Sequence, residues 1–175
     1  MRYIDEIVIH HSLTPRDLDL KKTLSSFNNS HKKRLYEQYK QPLGGGDYPY
    51  IAYHFVISGD GQKVMTRDLN TIGYHASNWK VNKASIGICL QGNFDKENPS
   101  REQLQTLKNL IRELKQMFPS IETVSGHRWY KPSKSCPGEY FSDGLIAEMQ
   151  SVVDGKPDLN TWENRARDWA MRYKV

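Results

Sequence analysis

The amino-acid sequence predicts a single α/β domain in which strands and helices pack around one core. Apolar strand-like runs alternate with helix-compatible segments along residues 1–155, a pattern typical of this fold class. A chain of 175 residues and 20.3 kDa suits one domain with one hydrophobic core. The hydrophobic content of 37% and the charged content of 26% are ordinary for a globular protein.

Strands are predicted where apolar and β-branched residues cluster between turn signals. The first covers residues 3–10 and the second covers residues 51–58. Gly59-Asp60-Gly61 predicts a hairpin turn from which residues 63–65 return. Further strands are predicted at residues 85–91, at 124–127 and, as a short segment, near 71–73.

Two helices have clear boundaries in the sequence. Ser100 and Gln103 form a capping box before a helix over residues 101–118, which carries apolar residues at helical spacing. A second helix over residues 141–153 is predicted to end at Gly155.

Two polar segments are less regular. Residues 20–40 are helix-compatible and lead into a glycine-rich loop at 41–47. Residues 156–175 begin like a linker and continue as a short predicted helix, which either packs on the core or leads into a further module.

The charge and the amino-terminal residues limit the classes of partner. The net charge of +5 favours encounter with a polyanion but does not choose among nucleic acid, anionic lipid and other anionic polymers. No apolar run approaches the ~20 residues of a membrane-spanning helix. Asp5 and Glu6 interrupt any signal-peptide core, so we expect a cytoplasmic protein.

Three residues could form a metal site. His10 ends the first predicted strand, His127 follows another strand, and Cys136 lies in a polar loop, whereas Cys89 lies in an apolar run typical of a buried thiol. Two imidazoles and one thiolate are a known zinc-ligand set that leaves one position open for water. From spacing alone, ordinary surface or core histidines remain the alternative.

These residues occur within five short strings that stand in a fixed order along residues 4–150. The strings are IVIHHS at 7–12, AYHFVI at 52–57, GYHA at 73–76, Asn82 with SIGI at 85–88, and Gly126-His127 followed by KSCP at 134–137. Together they resemble the N-acetylmuramoyl-L-alanine amidase type 2 family, which includes phage amidases and animal peptidoglycan recognition proteins. The resemblance implies a central mixed β-sheet flanked by helices, with a zinc site in a surface groove. It also implies hydrolysis of the amide between N-acetylmuramic acid and L-alanine in peptidoglycan.

The family motifs imply a role for individual residues. The zinc ligands match His10, His127 and Cys136; because strand alternation sends neighbouring side chains to opposite faces, His11 is not expected at the metal. Tyr53 matches a tyrosine beside the reacting water, and Lys134 matches a lysine that stabilises the developing negative charge. Wall-binding members that do not cut typically lack the cysteine, so its presence favours an enzyme.

The resemblance also implies substrate contacts, which match His31, His75, Trp79 and Asn82, while His54 is predicted to be structural. The residues between His31 and Tyr53 are interpreted as a groove wall or lid, as a contact for anionic wall polymer, or as a solvated insertion. Some family branches place a glutamate general base where this chain has Cys89. That departure is similar to the phage-type branch and leaves the general base open between Tyr53 and zinc-activated water.

We therefore expect a monomeric phage or prophage endolysin that acts on peptidoglycan or muropeptides, with no nucleic-acid or membrane partner. Four alternatives remain open at this point: a non-catalytic peptidoglycan-binding module, a cytoplasmic muropeptide-recycling amidase, a regulatory partner protein, and a zinc peptidase that cuts the stem peptide.

Overall fold

The computed structural model describes residues 2–36 and 47–156, and the strands in these ranges form one five-stranded sheet. The sheet order is β3-β2-β4-β1-β5, in which β1 is parallel to β4 and β5, β2 is parallel to β4, and only β3 is antiparallel to its neighbour. The strands are β1 (Glu6–His11), β2 (Phe55–Ile57), β3 (Lys63–Met65), β4 (Ser85–Leu90) and β5 (Thr123–Gly126). This mixed sheet with flanking helices confirms the predicted α/β fold.

The helices alternate with these strands along the chain. They are α1 (Leu20–His31), followed by a π-helical turn (Lys32–Tyr36), α2 (Trp79–Ala84), α3 (Arg101–Met117), a 3-10 turn (His127–Trp129) and α4 (Asp143–Val153). No helix among the described residues is long and apolar enough to cross a membrane.

The predicted helix ends are largely confirmed. Ser100 and Gln103 form the expected capping box of α3. Gly155 follows α4 with a φ of 68°, a left-handed conformation that suits glycine at a helix end. The start predicted for α4 at residue 141 is wrong by two residues, because the Ser142 side chain caps the helix by accepting a hydrogen bond from the Leu145 N–H.

The sequence and the structure differ at a predicted strand and at an unpredicted helix, and two further predictions lie mostly outside the described residues. Residues 71–73 form no strand: a turn closed by the hydrogen bond from Thr71 N–H to the Asp68 carbonyl ends at Thr71, and the next backbone bond runs from Tyr74 N–H to the Ala52 carbonyl. Helix α2 was not predicted; its six residues begin at the side-chain cap of Asn78. Most of the glycine-rich loop and the carboxy-terminal helix, predicted within 41–47 and 156–175, lies outside the described residues, so the domain boundary at 155 stays a prediction.

The two faces of the sheet bury different groups. Ile7 and Ile9 point from β1 into the large apolar cluster formed with α3 and α4. Val56 and Cys89 contribute to a smaller cluster with α1 on the opposite face. Because β1 alternates, His10 shares a face with Val8 and is only 1% exposed, below the surface on the α1 side. The sheet therefore buries a histidine where a strand buried on both faces would usually carry an apolar residue.

Two further histidines on this side of the sheet are held neutral by burial. The Nδ1 atom of His54 accepts a hydrogen bond from Gly87 N–H at 3.0 Å, and its Nε2 atom lies 3.0 Å from the Thr71 carbonyl. The Nδ1 atom of His31 accepts from Ala52 N–H at 3.1 Å. Burial lowers the pKa of each to about 3. The hydrogen bonds of His54 agree with its predicted structural role.

We expect the free energy of unfolding to fall as the pH is lowered below about 6.5, the ordinary histidine pKa in an unfolded chain. Both folded-state pKa values are depressed, so the unfolded chain binds more protons and the stabilisation present at neutral pH is lost towards pH 3. Urea unfolding in chelator between pH 7.5 and 5 measures the slope. His54→Gln should reduce the slope by up to about 1.4 kcal/mol per pH unit, and an unchanged slope would contradict the assignment.

Candidate active site

Three ligand-type side chains converge on the α1 side of the sheet. One ligand atom each from His10, His127 and Cys136 lies within 4.8 Å of the other two. The Sγ atom of Cys136 is 3.7 Å from Nδ1 of His10, and the rings of His10 and His127 are 4.7 Å apart between centroids. Tetrahedral zinc would separate a bound sulfur and nitrogen by about 3.5 Å. These residues are spaced as metal ligands are.

Each of the three residues is positioned by a different element. His10 is the fifth residue of β1, and His127 follows directly after β5. Cys136 lies in a loop that folds back on His127, because the Arg128 N–H donates to the Cys136 carbonyl at 2.7 Å. The loop is tied to the sheet by Tyr130, whose hydroxyl donates to the buried carboxylate of Glu6 on β1.

The protonation of these groups fits a bound cation. Burial lowers the pKa of His10 well below its usual range and lowers that of His127 to about 4, so both imidazoles are neutral and can offer a lone pair. Nε2 of His127 is buried and has no hydrogen-bond partner in the described part of the chain. Burial raises the pKa of the Cys136 thiol to about 12, so its thiolate would need a cation beside it.

His11 is excluded from this cluster by the alternation of β1. Its Nδ1 atom accepts a hydrogen bond from Phe94 N–H at 3.2 Å, and its ring lies against the Phe94 ring at 6.0 Å. Only His10 of the adjacent pair therefore joins the cluster. Strand alternation predicts that a single member does so, and the family motif implies that it is His10.

Tyr53 lies beside the ligand cluster, just before β2. Its ring is 5.1 Å from the His10 ring and packs against Phe27 and His31 of α1 at 5.8 and 5.5 Å. Burial, followed by the neighbouring Cys89 and Cys136, raises the pKa of the Tyr53 phenol well above its usual range. The phenol therefore stays protonated and can donate a hydrogen bond at neutral pH.

A cleft of about 420 Å³ opens next to Tyr53 and His127. Three of the four predicted substrate contacts, His75, Trp79 and Asn82, line it. The Trp79 side chain is 49% exposed and presents an aromatic surface, whereas His75 and Asn82 are nearly buried, at 5% and 6%. Trp79 is thus the most accessible of the predicted contacts.

The buried members of the predicted substrate-binding set form hydrogen bonds with the protein itself. The Asn82 side-chain oxygen accepts hydrogen bonds from the backbone N–H groups of His75 and Ala76 at 3.1 and 2.9 Å. His31 does not line the cleft; it lies under Tyr53 and its Nδ1 atom accepts from Ala52 N–H. A direct contact between His31 and substrate stays a prediction; in the structure His31 is buried and its ring contacts Tyr53.

Two basic side chains, Lys134 and Arg34, place positive charge near His127 of the cluster. Lys134 is exposed in the loop before Cys136, and its charge contributes to the lowered pKa of His127. Arg34, in the π-helical turn, also lines the cleft and acts on the pKa of His127 in the same direction. Sequence reasoning missed Arg34. The only signal was the basic composition of the segment after His31.

Comparison with known proteins agrees with this geometry. Residues 1–139 match the family described as N-acetylmuramoyl-L-alanine amidase. The chain belongs to the N-acetylmuramoyl-L-alanine amidase family. It is 32% identical over 154 residues to peptidoglycan-recognition protein 1 of Holotrichia diomphalia, a match that covers 85% of this chain and 68% of the relative.

A phage protein and a solved bacterial structure extend the comparison. The chain is 34% identical over 92 residues to an endolysin of Klebsiella phage KP32, covering 50% of this chain and 58% of that protein. The structure of the amidase LysC from Clostridium intestinale URNW is similar in fold, with a TM-score of 0.67, 24% identity, and coverage of 89% of this chain and 88% of that one. The matched relatives are thus named both for recognising peptidoglycan and as endolysins, and the likeness to LysC is one of fold.

Proposed function

We propose that this protein is a zinc-dependent N-acetylmuramoyl-L-alanine amidase that hydrolyses the amide between N-acetylmuramic acid and L-alanine. One observation carries the proposal: the three ligand atoms of His10, His127 and Cys136 converge beside a protonated tyrosine at an open cleft. Three protein ligands leave a coordination position free, as in catalytic zinc sites, whereas structural sites are closed by four.

The chain's own residues supply the other parts of the reaction. Bound zinc would polarise the scissile carbonyl and lower the pKa of water at the site. The Tyr53 hydroxyl, held protonated by burial, donates a hydrogen bond to the carbonyl oxygen as negative charge develops there. Lys134 supplies a positive charge near His127, close enough to lower the pKa of that imidazole. Trp79 offers a flat apolar face to a sugar ring or peptide.

We further propose a phage-type endolysin, made in the cytoplasm and acting as a monomer on the wall. Support comes from the matched phage endolysin and from Cys89, which is fully buried in β4 at the position where other branches carry a glutamate. With no carboxylate there, Tyr53 is a proton-bearing side chain beside the cluster that could take over this role.

Incubation of zinc-replete and chelator-treated protein with purified peptidoglycan tests the proposal. We expect release of stem peptides with a free amino-terminal L-alanine from the zinc-replete sample alone, read by mass spectrometry. Fragments in which alanine remains on the sugar would instead identify a peptidase. Retained binding without any release would identify a wall-binding receptor and overturn the amidase proposal.

A further inference from the structure

His75 lies directly behind the candidate zinc ligand His10. The Nδ1 atom of His75 is 3.0 Å from Nε2 of His10, and the two rings meet edge to face with centroids 5.1 Å apart. His75 is 5% exposed, although it forms part of the cleft wall. Its partner atom is the His10 nitrogen on the opposite side of the ring from Cys136.

The proton positions along this chain of contacts follow from its far end. The Ser85 hydroxyl lies 2.6 Å from the Val81 carbonyl, which can only accept, so the hydroxyl proton is donated there. The Ser85 oxygen can then accept from Nε2–H of His75, which lies 3.4 Å away. A neutral imidazole protonated on Nε2 has a lone pair on Nδ1, and this lone pair accepts from Nε2–H of His10.

The consequence for His10 is a single tautomer. With its proton on Nε2, the ring has its lone pair on Nδ1, the atom that lies 3.7 Å from the Cys136 sulfur. The helix carbonyl of Val81 thus determines, through Ser85 and His75, which His10 nitrogen is available to a metal.

The packing around His75 is built for an imidazole. A Cβ atom at Gly87 would lie 2.5 Å from the His75 ring, and one at Gly73 would lie 2.6 Å from it. The backbone N–H of His75 is held by the Asn82 side chain at 3.1 Å. Two glycines and one amide therefore fix the ring between His10 and the sheet, where it has little freedom to approach a substrate.

We propose that His75 is a positioning residue, which sets the tautomer and the ring orientation of His10 so that Nδ1 is presented to zinc. The inference rests on the proposed zinc site. Metal-bound histidines commonly donate their second N–H to a carboxylate or a backbone carbonyl, and loss of such a partner lowers metal affinity about 10- to 100-fold. Here the partner of His10 is the neutral imidazole of His75. The orientation of His75 is set by Ser85, whose hydroxyl donates to the Val81 carbonyl.

Zinc affinity measured by competition with a chromophoric chelator tests this inference without any need for catalysis. His75→Leu fills the space but removes the acceptor, and we expect it to weaken zinc binding about 10- to 100-fold. His75→Asn restores an oxygen acceptor close to the Nδ1 position and should recover most of the affinity. Nitrogen NMR of the metal-free protein should show His10 protonated on Nε2 in the wild type and a mixture of tautomers in His75→Leu.

A second pair of variants changes the buried packing less than His75→Leu does, so that a loss of zinc affinity cannot be attributed to misfolding. Ser85→Ala removes only the hydroxyl that orients His75, so we expect a smaller, several-fold loss of zinc affinity. Ser151→Ala is the matched control, because its hydroxyl also donates to a helix carbonyl, that of Glu148, but on α4 away from the site. Ser151→Ala should bind zinc as the wild type does.

The outcomes separate this inference from the proposed function. A wild-type protein that binds no zinc would overturn both. Zinc binding by the wild type with equal affinity in His75→Leu and Ser85→Ala would overturn the positioning role alone. A raised KM for His75→Leu with unchanged zinc affinity would instead make His75 a substrate contact, as the sequence motif implies.

Discussion

Cys136→Ser is expected to abolish peptidoglycan cleavage while leaving the fold intact. A serine hydroxyl does not ionise at neutral pH and is a poor zinc ligand, so the site would keep only its two imidazoles. Zinc affinity should fall by orders of magnitude, and release of stem peptides should drop below detection. The side chain is only partly buried in a loop, so the urea midpoint in chelator should remain close to that of the wild type.

Cys89→Ala is the matched control for this prediction. It removes the other thiol, which is fully buried in β4 and is not one of the three clustered residues. We expect Cys89→Ala to retain zinc, with a moderate loss of stability from the small cavity. Because the Cys89 thiol hydrogen-bonds the Tyr53 hydroxyl, zinc binding and not the cleavage rate is the quantity to compare. Full activity in Cys136→Ser would refute the zinc assignment, and loss of zinc by both variants would show that the thiol of Cys136 has no special role.

The part of the site that sequence reasoning found is the part that depends on local periodicity and on motif order. Strand alternation separates His10 from His11, and the structure places the two side chains against different partners, His75 and Phe94. Alternation alone could not say which of the two faces the cluster, because β1 is buried on both faces. Motif order supplied that choice, and the metal-like cluster of His10 agrees with it.

The depth of a side chain was not predictable in the same way. His75 and His31 occur in motifs that imply substrate contact, yet both are about 5% exposed. Their burial depends on long-range packing: Gly87 of β4 makes room for the His75 ring, and Ala52 donates to His31 across 21 positions of sequence. A motif records which residue type is needed but not whether that residue meets the ligand or supports one that does.

Tyr53→Phe is expected to lower kcat by about 10²- to 10³-fold, the usual loss when one donor to a developing oxyanion is removed. The phenylalanine ring should keep the contacts with Phe27, His31 and His10, so zinc affinity and the free energy of unfolding should change little. Because the phenol pKa is raised well above its usual range, the wild-type rate should show no loss from tyrosine ionisation at any pH up to 10. Steady-state kinetics on soluble muropeptides separate kcat from KM.

Tyr74→Phe is the control that separates loss of a catalytic hydroxyl from loss of a hydroxyl in the cleft wall. Tyr74 lines the same cleft and packs against Trp79 with ring centroids 5.8 Å apart. In the described part of the chain, the rings that contact His10 are those of Tyr53, His75 and His127. A substrate contact at Tyr74 would alter KM more than kcat. If Tyr53→Phe were also to change KM alone, the phenol would bind substrate without stabilising the transition state, and Lys134 would become the principal candidate for the oxyanion donor. A fall in kcat confined to Tyr53→Phe, with zinc fully bound, would place the hydroxyl at the reacting carbonyl. An interaction made equally in the ground state and the transition state affects KM when it is lost, whereas one made only in the transition state affects kcat.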